Sequence, residues 1–141
     1  MICTFFGHKD APSDISEKVK NEIVGLVKKH GDMKFYVGHN GNFDRAVIRA
    51  LKEVKKEHPQ ITYYIVRYSL ELKIDYNECE TIFPEGFEKV PKRFALDRRN
   101  TWMVNNSSVV ICCITRCHGG AHKFVKMAER RGLSVVNLAQ C

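Results

Sequence analysis

The chain has 141 residues and a formal net charge of +7, a length that suits one ordinary domain, so a single unit over residues 1–141 is expected. Hydrophobic residues make up 44% and charged residues 28%, close to globular averages. No apolar run reaches the ~18 residues of a membrane span, and the opening Met-Ile-Cys-Thr-Phe-Phe-Gly lacks the regions of a secretory signal. A soluble, cytoplasmic protein with no membrane partner is the expectation.

The elements alternate in kind. Residues 2–6 are a short apolar run that ends in the loop Gly7-His8-Lys9-Asp10-Ala11-Pro12. A helix follows, with Ser13 or Asp14 as its cap, Ile15, Val19, Ile23 and Val27 at helical spacing, and Gly31 at its end. Residues 34–37 read as a strand, and a second helix spans about 43–57 before His58-Pro59 stops it. A third strand, rich in β-branched and aromatic residues, covers 61–66. Residues 68–94 are irregular, with a turn around Pro84-Glu85-Gly86. Residues 95–105 read as helical, and 107–114 form a nearly pure apolar run, as a strand buried on both faces should. A loop at 116–120, a helix at 122–131 ended by Gly132, and a strand at 133–138 complete the chain.

This order predicts an α/β fold: a Rossmann-like, doubly wound parallel sheet with helices on both faces. In such sheets the loops after the strands' C-terminal ends share one edge, where ligands bind. The residues suited to ligand contact concentrate in those loops. Gly119-Gly120, between a buried strand and a helix, lets the backbone approach a phosphate at the helix N-terminus, although two glycines also make a plain tight turn. Gly38-His39-Asn40-Gly41-Asn42-Phe43-Asp44 joins another strand to a helix without the dinucleotide spacing G-x-G-x-x-G. There Asp44 either accepts from ribose hydroxyls or caps its own helix. In Gly7-His8-Lys9-Asp10, at the end of the first strand, His8 and Lys9 can meet phosphate or base, or stand exposed. Arg99, Trp102 and Met103 share a helical neighbourhood. An arginine there either reaches a phosphate, with Asn100 beside it, or belongs to a solvated charged turn. Arg116 opens the loop before the paired glycines.

The six cysteines read as reduced thiols. Cys112, Cys113, Cys117, His118 and His122 resemble a metal cluster by count only. Cys112 and Cys113 point to opposite faces of a strand and no Cys-x-x-Cys is present, so no metal is expected. No cofactor is implied. Cys117 beside His118 lacks a third, orienting group for a nucleophile, and no catalytic residue can be assigned. The positive charge favours an anionic partner, either nucleic acid or a phosphate-bearing small molecule, without choosing between them. Aromatic stacking positions are not interleaved in the loops, which ranks nucleic acid lower.

Four segments together resemble the SLOG superfamily, which takes in the Smf/DprA proteins and the LOG proteins. They are Cys-Thr-Phe-Phe-Gly-His-Lys-Asp, Gly-His-Asn-Gly-Asn-Phe-Asp, Asp-Arg-Arg-Asn-Thr-Trp-Met-Val, and Ser-Val-Val-Ile-Cys-Cys-Ile followed by Gly-Gly. The resemblance runs from Ile2 to Leu138 in the expected order. It implies a Rossmann-like fold, a site for nucleotides or ADP-ribose-type molecules, and a homo-oligomer. Some members hydrolyse nucleoside monophosphates, some bind single-stranded DNA, and others sense NAD-derived signals in antiphage defence. Residues at matching positions are Gly7, His8, Gly38, Gly41, Asp44, Arg99, Asn100, Gly119 and Gly120; Asn40 and Arg116 join them as candidates from their loops.

One departure bears on activity. Hydrolytic members carry Pro-Gly-Gly-x-Gly-Thr-x-x-Glu, whereas this chain runs from His118 through Gly119 and Gly120 to Lys126 at the glutamate position. Glycosidic cleavage needs a carboxylate, for which Asp44 and Asp97 are the substitutes to consider. The expectation is therefore a protein that senses or sequesters a nucleotide-derived small molecule, with a nucleotide N-glycosidase as the alternative.

Overall fold

The computed structural model describes residues 1–12, 14–71 and 79–139. Strands β1 (Ile2–Gly7), β2 (Lys34–Val37), β3 (Thr62–Val66), β4 (Glu80–Ile82), β5 (Val109–Cys113) and β6 (Ser134–Asn137) form one sheet in the order β4-β3-β2-β1-β5-β6. Every neighbouring pair is parallel. The helices are α1 (Ile15–His30), α2 (Asn42–Glu57), α3 (Lys92–Asn105) and α4 (Gly120–Arg130).

Alternation along the strands splits the apolar residues between two cores. Phe5, Phe35, Val37, Ile111 and Cys113 face α1 and α2, together with Val19, Ile23, Val47 and Leu51. Phe6, Tyr36, Val110 and Cys112 face the other way, against Met103 of α3 and Phe124 and Ala128 of α4. Cys112 and Cys113 thus lie on opposite faces, as a strand requires. Phe5 and Phe35 stack with centroids 6.0 Å apart, and Phe6 stacks on Phe124 at 5.8 Å. Each such ring, fully buried, contributes about 2–3 kcal/mol of transfer free energy. The fold is the doubly wound parallel sheet that the alternating elements predict.

The structure departs from the expected elements in three places. The irregular stretch contains β4 on the sheet edge and a single 3-10 turn at Phe87–Lys89. A strand of three residues offers no period to read. Helix α3 begins at Lys92, behind Pro91, because Lys92, Arg93 and Phe94 are exposed and add nothing to an apolar stripe. Asp14 stands at the N-cap of α1 with no side-chain capping bond, and the alternative cap, Ser13, lies outside the described residues. Cys3, Cys112, Cys113 and Cys117 are free thiols. No helix among those residues is long and apolar enough to cross a membrane.

Candidate functional site

The chain leaves β1 toward α1 on one face and leaves its neighbour β5 toward α4 on the other. Where two adjacent parallel strands send their connections to opposite faces, a crevice opens beyond their C-terminal ends. A cavity of about 350 Å³ lies there. Its walls come from the end of β1 and the loop after it, from the loop after β5, from the loop before α2 and that helix's first turn, and from α3 and the start of α4.

One end is built from glycines and imidazole. Gly119 caps α4 with φ 94°, a backbone conformation that favours glycine, and Gly120 is the first helical residue. No side chain caps this terminus, so its N–H groups and the helix dipole favour an anion. His8 is buried, and its Nε2 accepts the backbone N–H of Arg116 at 3.3 Å. That bond needs an unprotonated Nε2. Burial lowers the His8 pKa, and the Arg116 charge lowers it further, so the neutral imidazole is the form the site holds. The Arg116 guanidinium forks onto Asp10, with both N···O distances 3.0 Å. This fork holds the Asp10 carboxyl below its ordinary range.

The other end carries buried charge. Asp44 and Arg99 are 8% and 3% exposed, and both line the cavity. Asp44 Oδ2 accepts the backbone N–H of Asn40 at 2.8 Å, so the carboxylate ties its own loop rather than capping the helix; Gly41 occupies the N-cap of α2. Burial pushes the Asp44 pKa up to about 6, while the Arg99 charge and the Asn40 N–H pull the other way. Arg99 donates from Nη1 to the carbonyl of Val66 at 3.2 Å and from Nε to Asn100 Oδ1 at 2.7 Å. Its guanidinium carbon also lies 5.4 Å from the centre of the Tyr68 ring. Burial lowers the Arg99 pKa, and Asp44 and Tyr68 raise it; the group stays charged.

The cavity brings together Gly7, His8, Asn40, Asp44, Arg99, Asn100, Arg116, Gly119 and Gly120. Gly38 and Gly41 stand behind its wall. A Cβ at Gly38 would come 2.8 Å from Arg99 Nη1 and 2.9 Å from Asp44 Oδ2. A Cβ at Gly41, where φ is 91°, would come 2.8 Å from the Cα of Lys9. Each glycine clears room for a lining residue. Trp102 turns from the cavity to Tyr36, with ring centroids 4.9 Å apart, whereas Met103 lines it.

Phe5, Phe6, Lys9, Asp10, Leu96, His118 and Ala121 complete the lining, and of these the sequence points only to Lys9, beside His8, as a ligand contact. Leu96 and Ala121 are apolar and carry no chemical signature. Asp10 was legible only as part of a loop, since its partner Arg116 lies 106 positions away. Of the substitute carboxylates, Asp44 is in the cavity and Asp97 is outside, paired with Lys123 at 3.1 Å. Lys126 is also outside and pairs with Glu129 at 3.2 Å. Among the described residues no three His, Cys, Asp or Glu side chains gather as a metal-holding group.

These features define a class: a Rossmann-like α/β domain with a cavity that carries a few charged and polar groups at the topological switch point of its sheet. No family model and no curated protein sequence matches the chain. Among solved structures it is similar to the X-ray structure of DNA processing protein A (DprA) from Streptococcus pneumoniae, with a TM-score of 0.69 at 16% identity. The match covers 94% of this chain and 48% of that one, so the chain spans about half of that protein's length. At this identity the likeness is one of fold. It agrees with the SLOG-like fold that the sequence motifs imply.

Proposed function

We propose that the protein binds a nucleotide-derived small molecule, a nucleotide or an ADP-ribose-type ligand, in the cavity between β1 and β5, and that it senses or sequesters this molecule. The observation that carries the reading is the cavity's two-ended chemistry. The glycine-capped N-terminus of α4 suits a phosphate, and Asp44 with Asn40 and Asn100 suits the hydroxyls and base edge of a nucleoside. Its volume of about 350 Å³ is in the range of small-molecule sites. The resemblance to SLOG proteins supports the same reading, together with a cytoplasmic homo-oligomer and a role in antiphage defence or counter-defence.

A second reading, nucleotide N-glycosidase, is favoured by one observation: Asp44 is a cavity carboxylate with a pKa raised to about 6. Such a group can hold or release a proton near neutral pH. Against it, Lys126 stands at the family's glutamate position and points outside the cavity.

Incubating the protein with a panel of nucleotides, NAD, ADP-ribose and cyclic ADP-ribose, followed by chromatography and mass spectrometry, decides between them. One compound depleted and recovered intact after heat denaturation is the expected result. Release of free base establishes the enzyme instead, and Asp44→Asn should then abolish it. Retention of nothing from the panel, with single-stranded DNA bound in a steeply salt-dependent way, overturns both in favour of nucleic acid.

A further inference from the structure

Asp10 and Arg116 stand on adjoining loops, after β1 and β5, and both line the cavity. The guanidinium meets the carboxylate as a two-pronged fork, Nη1 to Oδ2 and Nη2 to Oδ1. This is also the geometry with which arginine takes a phosphate. Two further facts bear on how easily the fork opens. The side chains of Arg116 and Asp10 are 41% and 70% exposed, and ion pairs so wet hold only weakly. The backbone of Arg116 is held separately, through its N–H on His8 Nε2. The guanidinium can therefore leave Asp10 by rotation of its own torsions while the loop keeps its place. Arg99 is the contrast: its buried guanidinium is tied to Val66 and Asn100 and is part of the wall.

Lys9 lines the cavity with the fork, and among the described lining residues Asp44 is the sole carboxylate apart from Asp10. Asp10 is tethered, so its effective concentration at Arg116 is of millimolar order or above. A monoanion in solution offers Arg116 the same charge without the tether and loses. A phosphate ester carries about −1.5 to −2 and presents several acceptor oxygens, and it wins on charge.

We propose that Asp10 is an intramolecular competitor for the anionic group of the ligand. It holds the fork of Arg116 until a phosphate or diphosphate with roughly two negative charges takes it. The site thereby admits phosphorylated ligands and turns away nucleosides and carboxylate monoanions. This rests on the proposed nucleotide site for the rest of the ligand, but not for the anion.

The test is calorimetric titration of inorganic pyrophosphate into the wild type, Asp10→Asn, Arg116→Gln and the double variant. Both positions are exposed, and their substitution leaves the two cores untouched. Asp10→Asn should tighten pyrophosphate binding by about two- to fivefold, the scale of one exposed ion pair. Arg116→Gln should weaken it, and the double variant should show no gain over Arg116→Gln. An Asp10→Asn protein that binds no tighter than wild type overturns the proposal. So does an equal gain in the Arg116→Gln background, which would mean general repulsion, and so does the lack of pyrophosphate binding in every variant. If the nucleotide panel is refused while Asp10→Asn still gains for pyrophosphate, the competitor stands and the nucleotide reading falls.

Discussion

Gly38 and Arg99 share a space that a single methyl group would fill: a Cβ on the glycine would stand 2.8 Å from the arginine's Nη1. The atoms in the way are the ends of Arg99 and Asp44, both buried and hydrogen-bonded, so they can move only by giving up those bonds. Gly38→Ala should therefore cost about 2 kcal/mol in urea denaturation and also lower the affinity for the retained nucleotide by tenfold or more in equilibrium titration. A stability loss with unchanged affinity would separate the two side chains from the ligand.

Gly7 makes the opposite prediction. A Cβ there would run into the ring of Phe43, which is fully buried in the core under α2 and has no open space to move into. Gly7→Ala should cost about 3 kcal/mol, at the upper end of overpacking effects, measured as a fall in the denaturation midpoint.

Asp44 gives stability a pH dependence. Its folded pKa of about 6 lies above the ordinary 3.8, so the folded state holds the proton more tightly. The resulting stabilisation is complete below about pH 4 and is lost as pH rises through about 6. Asp44→Asn keeps an acceptor for the Asn40 N–H and removes the titration. Unfolding free energies measured across pH 4–7 should show a contribution on the order of 2–3 kcal/mol in wild type and none in the variant.

His39 works in the reverse direction. Its ring stacks on Tyr68 at 5.6 Å, and among the described residues neither ring nitrogen has a hydrogen-bond partner. Burial lowers its pKa to about 4, helped by the Arg99 and Arg67 charges. The folded state then releases a proton that the unfolded chain keeps below about 6.5, so this residue's contribution is present above that pH and is lost as pH falls toward 4. His39→Phe keeps a ring on Tyr68 and should raise stability at pH 5 by more than at pH 8. A gain of the order of 1 kcal/mol at the higher pH would reflect relief of the unpaired nitrogens alone.

Much of this architecture was legible before any coordinates. The apolar run at β5 and the amphipathic stripes of α1 and α2 announce a parallel sheet, and the sheet's handedness rules place the loops holding His8, Asp44 and Gly119 on one edge. Three kinds of feature were not legible. Strand β4 is too short to show a period. The pairing of Arg116 with Asp10 and His8 spans more than a hundred positions, and local patterning holds no trace of it. The room that Gly38 leaves for Arg99 is set by a residue 61 positions away, which a glycine in a loop does not announce.

The cavity draws its walls from both sides of the sheet: Asp44 heads the helix packed on one core, and Arg99 and Met103 belong to the helix packed on the other. Whatever binds there clamps the two layers to each other across the end of β1. Occupancy should thus slow amide hydrogen exchange in α2 and in α3 together, although those helices share no core, and the sheet would behave as a single cooperative unit only when the site is filled.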